Sequence, residues 1–445
     1  MLRKCSSICR VDERFGMKPR WTIILFSVVA AGVVSLMVLQ GMATEAPALA
    51  QLVEGNTAFA MQLYSQVRAN QGNVVVSPYS LSLALAMTSA GARGQTALQM
   101  ERALHLPTGA KALPALFGSL DAAVSAAQGD GIELHIANSL WPQNTYPFRL
   151  DFLDLLKTDY RAAAMPQDYV HQREQARAAI NQWVDQSTRH KITAVIPPNT
   201  FDAFTRLVLV NAICFKGVWD TPFPEYATRP DKFYPAPGRE ITVPFMQVEG
   251  NFNSGENEDL QWLVLPYKGR RFEMVILLPR AGGIMEQELR ETRASDNNRL
   301  RKNATIDGLE RAMNPNKLAT WTSACQNQKV MVTIPKFKIS SDLRLNGLLQ
   351  ALGVEDAFNP KRADFSGMDG RQHWLYLSDV LQKAFIEVDE NGTEAAAAST
   401  TMMTHSSPPM FYADHPFVFV LRETATGSIL FMGRVANPQS EAARL

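Results

Sequence analysis

Cysteine is scarce in this sequence, with four in 445 residues. Cys5 and Cys9 fall in a basic leader, which leaves Cys214 and Cys325, too few for a disulfide scaffold. Cys214 sits in the apolar run Leu207–Phe215, a setting for a buried free thiol; the sequence does not decide whether it pairs with Cys325. Seven histidines are scattered at positions 105, 135, 171, 190, 373, 405 and 415, none spaced with another His or Cys as metal ligands are. No metal site is expected. There is no Gly-x-Ser-x-Gly, His-Glu-x-x-His, phosphate loop or Gly-x-Gly-x-x-Gly, so no common hydrolase or nucleotide chemistry has a motif to stand on. Asp151 with Asp154, and Asp389 with Glu390, read as solvated faces or partners of Lys and Arg rather than acid/base dyads. His405-Ser406 is adjacent in sequence but lacks the rigid frame and orienting group of a catalytic pair. A net charge of +1 creates no field for nucleic acid or an anionic membrane. No Pro/Gly/Ser linker and no internal repeat divides the body.

The first 50 residues stand apart. Arg3, Lys4, Arg10, Arg14, Lys18 and Arg20 precede an apolar run from Trp21 to about Met42, followed by Ala46-Pro-Ala48 and Ala48-Leu-Ala50, small-x-small patterns that suit signal cleavage. The run exceeds the ~7–15 residues of a signal core and approaches the ~20 that span a bilayer. A cleaved signal and an anchor over residues 21–42 both fit. Either one carries the body, residues 51–445, out of the cytoplasm, so a secreted or membrane-anchored protein is expected.

Phe59, Leu63, Tyr64 and Val67 recur at helical spacing. Asn73-Val-Val-Val predicts a short buried strand, and Ser77-Pro78 predicts a capped helix start. The helix Ser80–Ala90 is apolar nearly all round, as a buried helix is, with Gly91 ending it. Further helices are expected at Phe152–Tyr160, Glu174–Thr188 (facing inward through Ala178, Ile180, Trp183 and Val184), Glu286–Arg293 and Leu343–Leu352. Strands are expected at Ile132–Trp141, Leu207–Phe215, around Phe233, and at Ile241–Met246, Trp262–Tyr267, Phe272–Leu278, Val330–Phe337 and Leu381–Val388. Pro416–Leu421 and Ser428–Val435 read as a buried hairpin. Polar, basic Ser295–Gln328 reads as a surface excursion. Helices and strands mix without strict alternation, which predicts an α+β fold.

The most telling stretch is Val388–Pro409. It carries no large apolar residue between Val388 and Met402, yet lies between two apolar strands. So long a loop inside a compact domain points to function. In a strand Thr393, Ala395, Ala397 and Ser399 fall on one face, all small and uncharged, with Glu394 on the other.

Several blocks, in order, resemble the serpin family: Asn73–Gly91; Asn211-Ala-Ile-Cys-Phe-Lys-Gly-Val-Trp219 with Pro222-Phe223; Ile334-Pro-Lys-Phe-Lys-Ile-Ser; Asp389-Glu-Asn-Gly-Thr-Glu-Ala-Ala-Ala-Ala-Ser; and Asp414–Glu423 with Leu430–Pro438. The resemblance covers residues 51–438. It implies several helices around three β-sheets, with an exposed reactive loop, about 390–409, as bait for proteases. It further implies a loop hinge at Glu390, Gly392, Thr393, Glu394, Ala395, Ala396, Ala397, Ala398 and Ser399. Ser77, Ser80 and Asn211 would form a polar cluster where the central sheet opens, with Gln382 standing where the family usually has His, and Trp219 would pack at the point of loop entry. The bait bond falls at His405-Ser406 or Ser406-Ser407, one residue apart by two ways of counting. No Arg or Lys lies there, so the expected partner is an extracytoplasmic serine or cysteine protease that is not trypsin-like. The chain is expected to be a monomer open to loop–sheet polymerisation, and not an enzyme. A non-inhibitory carrier or chaperone on the same fold is the alternative. Residues 111–127 hold one Lys and no Arg, so neither a glycosaminoglycan nor any other cofactor is expected.

Overall fold

The computed structural model describes residues 47–107, 113–129, 131–280, 305–390, 408–440 and 442–444. The chain divides into two units, the second of them Gln51–Leu445. The second unit contains every strand described below.

Two sheets organise it. The six-stranded sheet runs in the order β15 (Ala442–Arg444), β10 (Phe337–Arg344), β11 (Leu377–Val388), β4 (Leu207–Gly217), β2 (Ile132–Pro142) and β3 (Ala163–Ala164). The nine-stranded system runs β1 (Val74–Val76), β14 (Ile429–Val435), β13 (Phe417–Glu423), β8 (Phe272–Pro279), β7 (Leu260–Pro266), β6 (Arg239–Glu256), β9 (Gln326–Pro335) and β12 (Met410–Tyr412), with β5 (Arg229–Ala236) also on β6. The three sheets expected reduce to two hydrogen-bonded systems because β6 is 18 residues long. It pairs with β5 over Arg239–Phe245, with β9 over Phe245–Ser254 and with β7 over Asn253–Glu256, so two sheets join along one strand.

β4 is buried from Leu207 to Phe215, as its unbroken apolar run predicts. One face packs on the helix Pro78–Ala90, which is buried over most of its length. The other is covered by the helix Arg173–Ser187 and residues 192–201, which bury Ile180, Val184, Ile192 and Phe201 against Val208, Val210, Ala212, Leu381 and Phe385. The β13–β14 hairpin is buried as expected.

Four local expectations change. In Arg173–Ser187, Ile180, Val184 and the partly buried Trp183 face inward as expected, Ala176 and Asn181 join them, and Ala178 is exposed. Gly91 does end its helix, but at φ −90, not in the left-handed region. Its reason is space: a Cβ there would lie 2.3 Å from Met368 Cγ. The helix expected from Leu343 begins at Asn346, because Leu343 is held in β10 opposite Gln382. The excursion expected over Ser295–Gln328 is partly built structure: among its described residues are helices Ile306–Ala312 and Pro315–Ser323, capped by the Thr305 and Asn314 side chains. Glu310 in the first is buried because Arg434 and the Tyr64 hydroxyl reach it, at 3.0 and 2.7 Å. The helix expected at Glu286–Arg293 lies outside the described residues.

Candidate functional site

The seam between β4 and β11 is the centre of the candidate site. These two strands run parallel and pair directly, from Leu377 opposite Leu207 to Ile386 opposite Phe215. A parallel pair needs a long crossover, and its hydrogen bonds are slanted and slightly weaker than antiparallel ones. Every other pair within the body of this sheet, β10 with β11 and β2 with β4, is antiparallel.

Asn138, Asn211 and Gln382 occupy the same level on β2, β4 and β11. Gln382 Nε2 donates to Asn211 Oδ1 at 2.6 Å and to Ser77 O at 2.9 Å, and its Oε1 accepts from Ser77 N at 3.1 Å. Asn211 Nδ2 donates in turn to Ser80 Oγ and to Asn138 Oδ1. Ser77 caps its helix by accepting from Ser80 N and donates its own hydroxyl to Leu430 O at 2.7 Å. Ser77, Ser80, Asn211 and Gln382 are all fully buried. The four predicted cluster residues therefore meet, with Gln making the bonds that close the ring. None of these side chains titrates near neutrality, so the latch keeps its charge state across physiological pH.

A second set closes the upper end of the seam. Lys216, on β4, lies 3.2 Å from Asp389 and 3.7 Å from Glu387, on the far side of the seam. Trp219 Nε1 donates to Asp389 O at 3.1 Å, and its ring stacks on Tyr267 with centroids 4.2 Å apart. Glu390 accepts from Thr228 Oγ1 at 2.7 Å and pairs with Lys336 at 2.5 Å. Burial pushes the Glu390 carboxyl up, but its hydrogen bonds from Lys336 and Thr228 outweigh that and hold it below the usual range. The chain is thus anchored up to Glu390. The rest of the predicted hinge, Gly392–Ser399, and the predicted bait bond at His405, Ser406 and Ser407 lie outside the described residues. Beyond them Pro409 O accepts from Met331 N at 2.9 Å, and β12 pairs parallel with β9.

Residues 54–438 match the family model described as Serpin (serine protease inhibitor). The chain belongs to the serpin family. Human leukocyte elastase inhibitor is 37% identical to this serpin over 397 residues, 87% of this chain and 100% of the relative. An uncharacterised serpin-like protein of Thermococcus kodakarensis is 35% identical, over 87% and 86% of the two chains. Mouse protein-Z dependent protease inhibitor superposes with a TM-score of 0.76 at 28% identity, covering 88% of this serpin and 98% of that chain.

Sequence reasoning about the serpin missed Asn138, Lys216, Thr228 and Lys336. Each is an ordinary polar residue on a strand or strand end, and only register across the sheet makes it part of the site. Cys214 and Cys325 are both free, and burial pushes the Cys214 thiol up to about 11, which leaves it unreactive. Asp151 pairs with Arg149 at 2.7 Å, as a surface carboxylate does.

Proposed function

We propose that this serpin inhibits a serine protease as a suicide substrate. The observation that carries the reading is the parallel β4–β11 seam, latched by uncharged side chains and continuous at its upper end with the small-residue loop. A strand entering from Glu390 would run antiparallel to both neighbours. One parallel ladder would be exchanged for two antiparallel ones, a gain in hydrogen bonding that supplies the driving force. Strand insertion of this kind is a recognised mode of peptide addition in serpins.

The steps follow from the loop. The protease's serine hydroxyl attacks the carbonyl of His405 or Ser406 and forms an acyl bond. The peptide bond breaks, and the amine of Ser406 or Ser407 leaves. The freed hinge end enters the seam with Thr393, Ala395, Ala397 and Ser399 on the covered face, and carries the acylated protease away before water reaches the ester. Residues this small slide under the covering helix, whereas an idle loop would tolerate bulky or charged ones. Just before the bait bond, Met403-Thr404 suits an elastase-, chymotrypsin- or subtilisin-like enzyme, although a cut there shortens the inserting strand.

Incubation with a panel of such proteases tests this. A complex that survives SDS is expected, and mass spectrometry of the released fragment then gives the bond. Clean loop cleavage with no complex across the panel overturns the proposal. On the same reading this serpin is exported through residues 1–50 and meets its protease outside the cytoplasm; N-terminal sequencing of the exported protein distinguishes cleavage near Ala48 or Ala50 from an anchor retained over residues 21–42. Among the described residues no helix is long and apolar enough to cross a membrane.

A further inference from the structure

The six-stranded sheet is bounded at both edges by very short strands. At one edge stands β3, two residues long. At the other, beyond the eight-residue β10, stands β15, three residues long and parallel to it, with Ala442, Ala443 and Arg444 opposite Ser340, Ser341 and Asp342. β15 lies after Pro438, past the residues that match the serpin family model.

The approach to β15 is built with some care. Asn73 is buried and uses both ends of its amide on the chain just before it. Its Nδ2 donates to Asn437 O at 2.7 Å and to Ser440 O at 2.6 Å, and its Oδ1 accepts from Ala436 N and Asn437 N, both at 2.8 Å. Gln439 Nε2 donates to Thr242 O at 2.7 Å, and Gln439 N donates to Asn437 Oδ1 at 3.0 Å. These bonds hold residues 436–440 in place ahead of β15.

Without β15, β10 would be an edge. Sheet edges are commonly guarded by charged side chains that repel a second strand. The charges of β10 are turned to β11 instead. Lys338 lies over the Phe385 ring at 5.5 Å, Asp342 pairs with Lys383 at 2.8 Å, and Arg344 pairs with Asp379 at 2.5 Å. These three side chains are exposed but are engaged with β11, and β15 covers the backbone of the three residues Ser340–Asp342 at the middle of the edge.

We propose that β15, residues 442–444, is an edge cap, which occupies β10 in cis and keeps a second copy of this chain from pairing there. Removing the cap exposes the backbone donors and acceptors of Ser340–Asp342, and the occupant that fits them is the same strand from another molecule. Because a strand edge pairs by its backbone, the association is expected between identical chains without any new side-chain complementarity.

Two variants test the cap. One deletes residues 439–445. The other, Ala442→Pro with Ala443→Pro, keeps the segment but removes its pairing, since adjacent strand amides point to opposite sides and one of the two must face β10. Sedimentation velocity over a range of concentrations reads the outcome. The unaltered chain should stay monomeric, while both variants should rise roughly twofold in mass with concentration and return to monomer when a peptide spanning residues 440–445 is added. Each measurement is repeated after the reactive loop has been nicked with a non-specific protease, because a nicked loop is no longer free to enter another molecule's sheet. Association that survives nicking supports the cap. Variants that remain monomeric, or whose association vanishes on nicking, overturn it. Neither result depends on whether the chain inhibits a protease.

Discussion

Gln382 shows how a single side chain sets the seam. It is wholly buried and satisfies both backbone groups of Ser77 as well as the Asn211 amide. Gln382→Ala would strand these partners without solvent, at about 1–3 kcal/mol for a buried unsatisfied group. The expected result is a stability loss of about 3 kcal/mol, read as a lower midpoint in urea; an unchanged midpoint would show that the cluster does not hold the sheet. Asp379 is the complementary case. It sits in the bulge at the start of β11 and is buried, facing the Arg344 guanidinium, with Asp202 and Tyr169 nearby. Burial raises its carboxyl from 3.8 to about 6, more than Arg344 lowers it, and Asp202 adds to the rise. The folded state then binds the proton more tightly than the unfolded state. The group stabilises the fold most at low pH, and that contribution is lost as pH rises from about 4 through 6. Asp379→Asn removes the dependence: relative to the parent, the variant should gain about 2 kcal/mol between pH 4.5 and 7.5. A parent–variant difference that stays constant with pH would refute the assignment.

At the scale of elements, the seam and the loop must match. The face of β4 and β11 under the helix Arg173–Ser187 is packed by Ile180, Val184 and Phe201, so on the proposed mechanism an entering strand has room only for small, uncharged side chains on that face. Ala395→Arg places a cation there, and its desolvation opposes entry. Cleavage by the target should persist while trapping fails, with the number of inhibitor molecules consumed per protease rising roughly tenfold or more. Unchanged stoichiometry would remove Ala395 from the inserting face. Lys216 and Lys336, which complete the upper clasp beside Trp219, were invisible in the sequence for the same reason that the short helices over 306–323 were. Strand ends and polar turns carry no periodicity, and their partners, Asp389, Glu390 and Arg434, lie far away in the chain.

For the whole molecule, the proposed function requires a native state that holds its loop out of the sheet and is kept there kinetically. Insertion would add on the order of ten ladder hydrogen bonds at ~1 kcal/mol each, a rise in thermal midpoint of roughly 10–20 °C for a chain this size. Heating intact and loop-cleaved protein side by side checks this, and equal midpoints would mean no insertion. Much of the architecture was legible beforehand. The apolar runs at Leu207–Phe215 and in the final hairpin, and the buried helix after Ser77-Pro78, follow from composition and local periodicity, which are properties of the chain itself. That β4 lies beside β11 with no strand between them, that Asn138 joins Asn211 and Gln382, and that residues 442–444 close the edge of β10 were decided by tertiary structure. These are pairings between segments distant in sequence, and pairing depends on register and on which strands the packed helices bring together, neither of which is written in any one segment.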